Sequence, residues 1–152
     1  MRRTFFTLAL LAACLAFAQH DAGTPLPPGF VRLPPGKEDW KPGTPPFPAS
    51  LQVTILEGDP TGPGHFTARV KFPAGFVLPL HTHPVDERST VISGAVYVGT
   101  SDKPDPTKGI KLEAGGFYVN PKGQPHWFMT ATETVLQIST EGPWGSSPVK
   151  PK

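Results

Sequence analysis

His81-Thr82-His83, then Glu87, and much later His126, are the residues of this chain whose types and spacing could do chemistry together. Side chains alternate across an extended strand, so His81 and His83 share one face, the geometry of two neighbouring metal ligands. Glu87 follows a turn that contains Pro84 and begins the next predicted strand. His126 follows a turn built from Pro121, Gly123 and Pro125. It can join the others only if the strands close on one another. Plainer readings stand beside this one. Two strand histidines could pack in a core or pair with Glu87, but an inward carboxylate without a cation is costly to bury. Asp86 is a rival carboxylate on the wrong parity, expected in the turn. His65 beside Gly64 and His20 near the N-terminus are expected on the surface.

The elements that must position these groups read as strands. Leu51-Gln52-Val53-Thr54-Ile55 and Phe66 to Phe72 alternate apolar and polar residues. Further runs are Phe76 to His83, Arg88 to Ser93, Ala95 to Thr100, Ile110 to Glu113, Phe117 to Asn120, His126 to Thr130 and Thr134 to Thr140. Pro73-Ala74-Gly75, Ser93-Gly94, Gly115-Gly116 and Pro121-Lys122-Gly123 mark turns between them. About nine short strands at this spacing predict a sandwich or barrel of jelly-roll type. Parity with His81 and Glu87 predicts that Val77, Pro79, Ser89, Val91 and Ser93 also point inward. By the same rule Phe128 walls the pocket with His126, and Trp127 packs outside.

Length and composition agree with one domain. The chain has 152 residues with 38% hydrophobic and 17% charged, and 16 Gly with 21 Pro are more than helices tolerate. Met1 to Ala18 reads as a secretory signal: Arg2 and Arg3, an apolar run from Phe5 to Phe17, and Ala16-Phe17-Ala18 as a small-x-small site. Cleavage after Ala18 would make Gln19 the first mature residue, with the protein periplasmic or secreted. A second reading takes Leu11-Ala12-Ala13-Cys14 as a lipoprotein signal with Cys14 lipidated. The apolar run is short for a membrane span, which needs about 18 residues. Removing the signal leaves 12 basic against 12 acidic residues, so nothing suggests nucleic acid. Cys14 is the only cysteine, which excludes a disulfide framework. Residues 19–48 read as a proline-rich N-terminal arm, part of it apolar enough to pack on a barrel spanning 49–144. Residues 145–152 are expected to be a disordered tail.

Two stretches carry a family resemblance. From Gly75, GFVLPLHTHPVDERSTVISG fits G-x5-H-x-H-x3-E-x6-G and resembles the first motif of the cupins. From Gly115, GGFYVNPKGQPHWFMT resembles the second, G-x5-P-x-G-x2-H-x3-N, except that Thr130 replaces the asparagine. Small secreted cupins are similar also in His83-Pro84-Val85-Asp86-Glu87, Thr90-Val91-Ile92-Ser93-Gly94 and Gly142-Pro143.

The resemblance implies an all-β, cupin-type jelly-roll barrel with one divalent transition metal ion, Mn, Fe, Ni, Cu, Co or Zn, held by His81, His83, Glu87 and His126. Coordination positions left for water or substrate would suit a metal-dependent dioxygenase or other oxidoreductase, with Glu87 leaving the metal to act as general base. A non-catalytic extracytoplasmic binding module and a metal-assisted isomerase or decarboxylase are the alternatives. A small anionic or chelating molecule is the expected partner, and the family resemblance implies a homodimer. Arg69, Arg88, Tyr97 and Tyr118 are candidates for a second role at the site.

Overall fold

A computed structural model describes residues 27–44 and 48–150. The signal segment, Cys14, His20 and the start of the arm lie outside the described residues. From Val31 onward the described chain forms one compact unit. Before it, Phe30 N donates to Pro27 O at 3.2 Å in a turn.

The jelly roll expected from the sequence is what forms. Six strands make one antiparallel sheet in the order β1 (Lys41–Pro42), β2 (Gln52–Glu57), β3 (Gly64–Phe72), β10 (Thr134–Gly142), β5 (Glu87–Ser93), β8 (Phe117–Asn120). Five make the other, in the order β11 (Ser147–Pro148), β4 (Val77–Thr82), β9 (His126–Thr130), β6 (Ala95–Gly99), β7 (Ile110–Glu113). The strands read from the sequence are all present. Their inner faces bury Phe66, Val70, Phe72, Val91, Val96, Phe128, Leu136 and Ile138 in one core. Each such side chain gains about 1.5–3 kcal/mol by leaving water. Gly75, Gly94 and Gly123 all have positive φ. At Gly94 (φ 80°) a Cβ would also meet Glu133 O at 2.3 Å, so the turn admits only glycine.

Four expectations need correction. A bulge in β4 sets three residue steps, Leu78 to His81, against two on β9, Phe128 to His126. Parity reverses there: Leu78 lines the interior, while Val77 and Pro79 are exposed. Ser89 and Val91 are buried as expected, but Ser93 is exposed beyond a second irregularity, opposite Val135 and Leu136. The sheet also starts before residue 49, because Lys41–Pro42 pair with Val53 and Gln52. The tail, finally, is ordered through Val149. Ser147 and Pro148 pair with Thr82 and His81, and Val149 N donates to Leu80 O at 2.9 Å. Open backbone groups on the edge of β4 give this segment partners that its composition does not reveal.

Trp127 sits on the far side of β9 from the core, yet it is fully buried. Gly99 and Gly109 lie against its indole, and its Nε1 donates to Ser101 Oγ at 3.0 Å. Phe128, one residue on, faces the interior as predicted.

Candidate metal centre

The register that places His81 directly opposite His126 joins two of the histidines across β4 and β9. His83 follows at the end of β4 and returns to the same face. The three ring centroids lie 4.2, 4.9 and 5.1 Å apart. One ligand nitrogen from each falls within 4.8 Å of the others, so the three histidines are positioned to bind a metal ion. Glu87 reaches the same place from the opposite sheet, at the start of β5. Its Oε2 is 2.9 Å from His83 Nε2. The structure therefore brings together all four residues singled out in the sequence.

Each imidazole is oriented by the backbone. Nδ1 of His81 lies 2.7 Å from Pro79 O, that of His83 2.6 Å from Gly145 O, and that of His126 3.0 Å from Gln124 O. A carbonyl only accepts, so each Nδ1 carries the proton and each Nε2 keeps its lone pair, the tautomer a metal requires. His83 Nε2 is buried and, despite its closeness to Glu87, has no aligned hydrogen bond. An orphaned buried nitrogen among three converging imidazoles fits a cation better than an apolar packing role.

The electrostatics agree for His81 and His126, while at His83 the carboxylate favours the protonated ring. Burial pushes His81 down to about 4, against the effect of its bond to Pro79, and burial likewise lowers His126. Burial also opposes charge on His83, but the adjacent Glu87 carboxylate outweighs it and raises this one histidine. Glu87 is buried, which alone would raise its carboxyl. Its contact with His83 and the nearby His126 and His81 instead hold it below the ordinary range.

Around Glu87 lie Ser89, expected to point inward, Tyr118, a candidate from the sequence, and Asn120, which sequence reasoning missed. Ser89 Oγ and Asn120 Nδ2 both donate to Glu87 Oε1 at 3.2 Å. Tyr118 lies opposite Ser89 across β8 and β5 and also lines the cavity, and burial raises its phenol strongly, so it stays protonated. Asn120 and Tyr118 are two apart on β8 and pair with Glu87 and Ser89. Their parity was readable in the sequence, but their strand partner was not. Trp144 stacks on His83 at 5.3 Å and 16°, next to the Gly145 carbonyl that holds that ring.

The remaining candidates fall elsewhere. Asp86 turns outward, taking Lys122 N at 3.0 Å and Arg88 at 3.1 Å. Arg69 lies on the outer face with Glu38 at 2.7 Å. Tyr97 pairs with Lys111 and Met129 in the five-stranded sheet, and His65 is half-exposed beside Ser139. Thr130, where the cupin motif has asparagine, donates to Pro73 O at 2.6 Å and accepts from Phe76 N at 2.9 Å, tying down the turn before β4. A cavity of about 100 Å³ opens from the histidines into the barrel.

Comparisons with known proteins place this geometry. KdgF from Halomonas sp. is similar at 22% identity and TM-score 0.55, over 74% of this chain and 93% of that one. An RmlC-like cupin from Shewanella frigidimarina is similar at 16% and 0.54, over 69% and 84%. Salicylate 1,2-dioxygenase from Pseudoaminobacter salicylatoxidans, solved as adducts with gentisate, is similar at 17% and 0.52, over 64% of this chain and 28% of that one. At these identities the likeness concerns the fold, which is that of the cupins. No curated protein sequence matches the chain. The family model described as Domain of unknown function (DUF4437) matches residues 48–148, more than half of the sequence and both histidine motifs, and the chain belongs to that family.

Proposed function

We propose that this protein is a metal-dependent oxidoreductase, a dioxygenase that adds both atoms of O2 to a small organic substrate held through chelating oxygens. One observation carries the reading: three histidines with their Nδ1 atoms committed to backbone carbonyls direct their Nε2 atoms to one point at the end of an apolar cavity. Glu87 is the proposed fourth ligand. A divalent ion bound there supplies a Lewis acid and, if redox-active, electron exchange with O2. The chain's own residues supply the remainder. Apolar walls keep bulk water from the reacting groups. Glu87 accepts the proton lost when the substrate enolises, while Ser89 and Asn120 hold its other oxygen in place.

The test is oxygen uptake by protein reconstituted separately with Fe(II), Ni(II), Cu(II) and Mn(II), against a panel of chelating enols and β-diketones. Glu87→Gln should keep part of the metal and lose turnover more than substrate binding. If ligands bind by calorimetry while no metal form consumes O2 or alters them, the protein is a binding module instead. We propose further, on residues 1–18 alone, that it works outside the cytoplasm. A mature N-terminus at Gln19 by mass spectrometry supports that, and a lipidated Cys14 or a retained Met1 overturns it.

A further inference from the structure

The cavity's polar groups gather at one end, where His81, His83, His126, Glu87, Tyr118 and Asn120 meet. Elsewhere its wall is hydrocarbon, including Val70, Phe72, Leu78, Leu136 and Ile138. Among the described residues no lysine or arginine lines it. The two arginines on adjoining strands are engaged elsewhere, Arg69 with Glu38 at 2.7 Å and Arg88 with Asp86 at 3.1 Å. A +2 ion with Glu87 leaves about one positive charge, enough for one enolate. A second anionic group, pressed against the hydrocarbon wall, would lose its hydration with no cation in return.

Size limits the ligand as well. The cavity measures about 100 Å³, whereas an apolar cavity of roughly 150 Å³ takes up benzene. Phe128, two residues along β9 from His126, packs with Phe72 at 4.7 Å and Phe76 at 6.0 Å, and forms an aromatic wall on that side. Core packing of this kind does not yield cheaply to a larger guest.

We infer that the ligand of this site is a compact, apolar molecule no larger than benzene that meets the metal through oxygen and carries no carboxylate or phosphate of its own. This rests on the metal-centred reading above. It adds what the rest of the cavity selects.

Matched chelators test it on the full chain loaded with Co(II), whose visible spectrum reports ligand binding apart from any turnover. Pentane-2,4-dione and malonate share one skeleton and both chelate through two oxygens, but malonate carries carboxylate oxygens where the dione has methyl groups. The dione should shift the spectrum and bind at least tenfold more tightly. 1,3-Diphenylpropane-1,3-dione should bind at least tenfold more weakly than pentane-2,4-dione, and Phe72→Leu, which keeps the wall apolar, should narrow that gap. Malonate binding as tightly as the dione, or the diphenyl compound binding as well as the small one, would overturn the inference while leaving the metal centre intact. A chain that takes up no Co(II) by metal analysis would remove the metal reading and this inference with it.

Discussion

Residues 31–44, proline-rich and ahead of most of the barrel, meet outward side chains of the six-stranded sheet, whereas the segment after Gly142 turns in toward the histidines. In the first, Glu38 meets Arg69 at 2.7 Å and Trp40 covers Lys71 Nζ at 4.4 Å. In the second, Trp144 stacks on His83, Gly145 O holds its Nδ1, and β11 pairs beside His81. Both are rich in proline and short of regular structure. What separates them is the atom each reaches: charged tips of outward side chains in one case, the imidazole of a candidate metal ligand in the other.

This contrast can be broken by experiment. The largest effect is set by the ligands themselves: the His81→Ala/His126→Ala double variant should lose nearly all bound metal by elemental analysis. It should also lose the stabilisation the ion gives, about 4 kcal/mol when free metal is a thousandfold above its Kd, seen as a lower melting temperature. Ending the chain after Pro143 should come next, weakening metal binding by roughly 10–100-fold in a chelator competition, as loss of a ligand's supporting bond does. Trp144→Ala should show part of that loss and Trp144→Phe should recover most of it. If the truncated chain binds metal as tightly as the full one, the two ends are alike after all. Glu38→Ala should cost about 1–2 kcal/mol in denaturant unfolding, since the partly buried Arg69 loses a charged hydrogen bond, with metal affinity unchanged. Smallest is Trp40→Ala, at about 0.5–1 kcal/mol, again without effect on the metal.

Much of this was legible in the sequence, and the reasons are local. Strand alternation and glycine turns delimit β2 to β10, and His81-x-His83 states its own geometry. What escaped depends on register or on backbone atoms. The bulge in β4 exchanged Val77 and Pro79 for Leu78, because one extra residue inverts parity and leaves no mark in composition. Asn120 sits on Glu87 only because β8 pairs with β5, a choice among strands that no single strand encodes. The Gly145 carbonyl is invisible for a simpler reason, since any residue there would offer the same oxygen.

The packing of Trp127 against Gly99 and Gly109 has a consequence for which substitutions the barrel tolerates. A methyl group at Gly99 would come within 2.2 Å of Trp127 Cζ2, and one at Gly109 within 2.6 Å of its Cη2. A Cβ at either glycine forces that indole or its strand to shift, and His126 precedes Trp127 on the same strand. In a saturation scan selected only for metal retention, alanine at Gly99 or Gly109 should therefore be depleted almost as strongly as alanine at His126. Alanine at Gly145, where a Cβ meets nothing within 4 Å and the carbonyl to His83 is retained, should pass unnoticed. Tolerance at this barrel is then set by the shape of one tryptophan more than by distance from the three histidines.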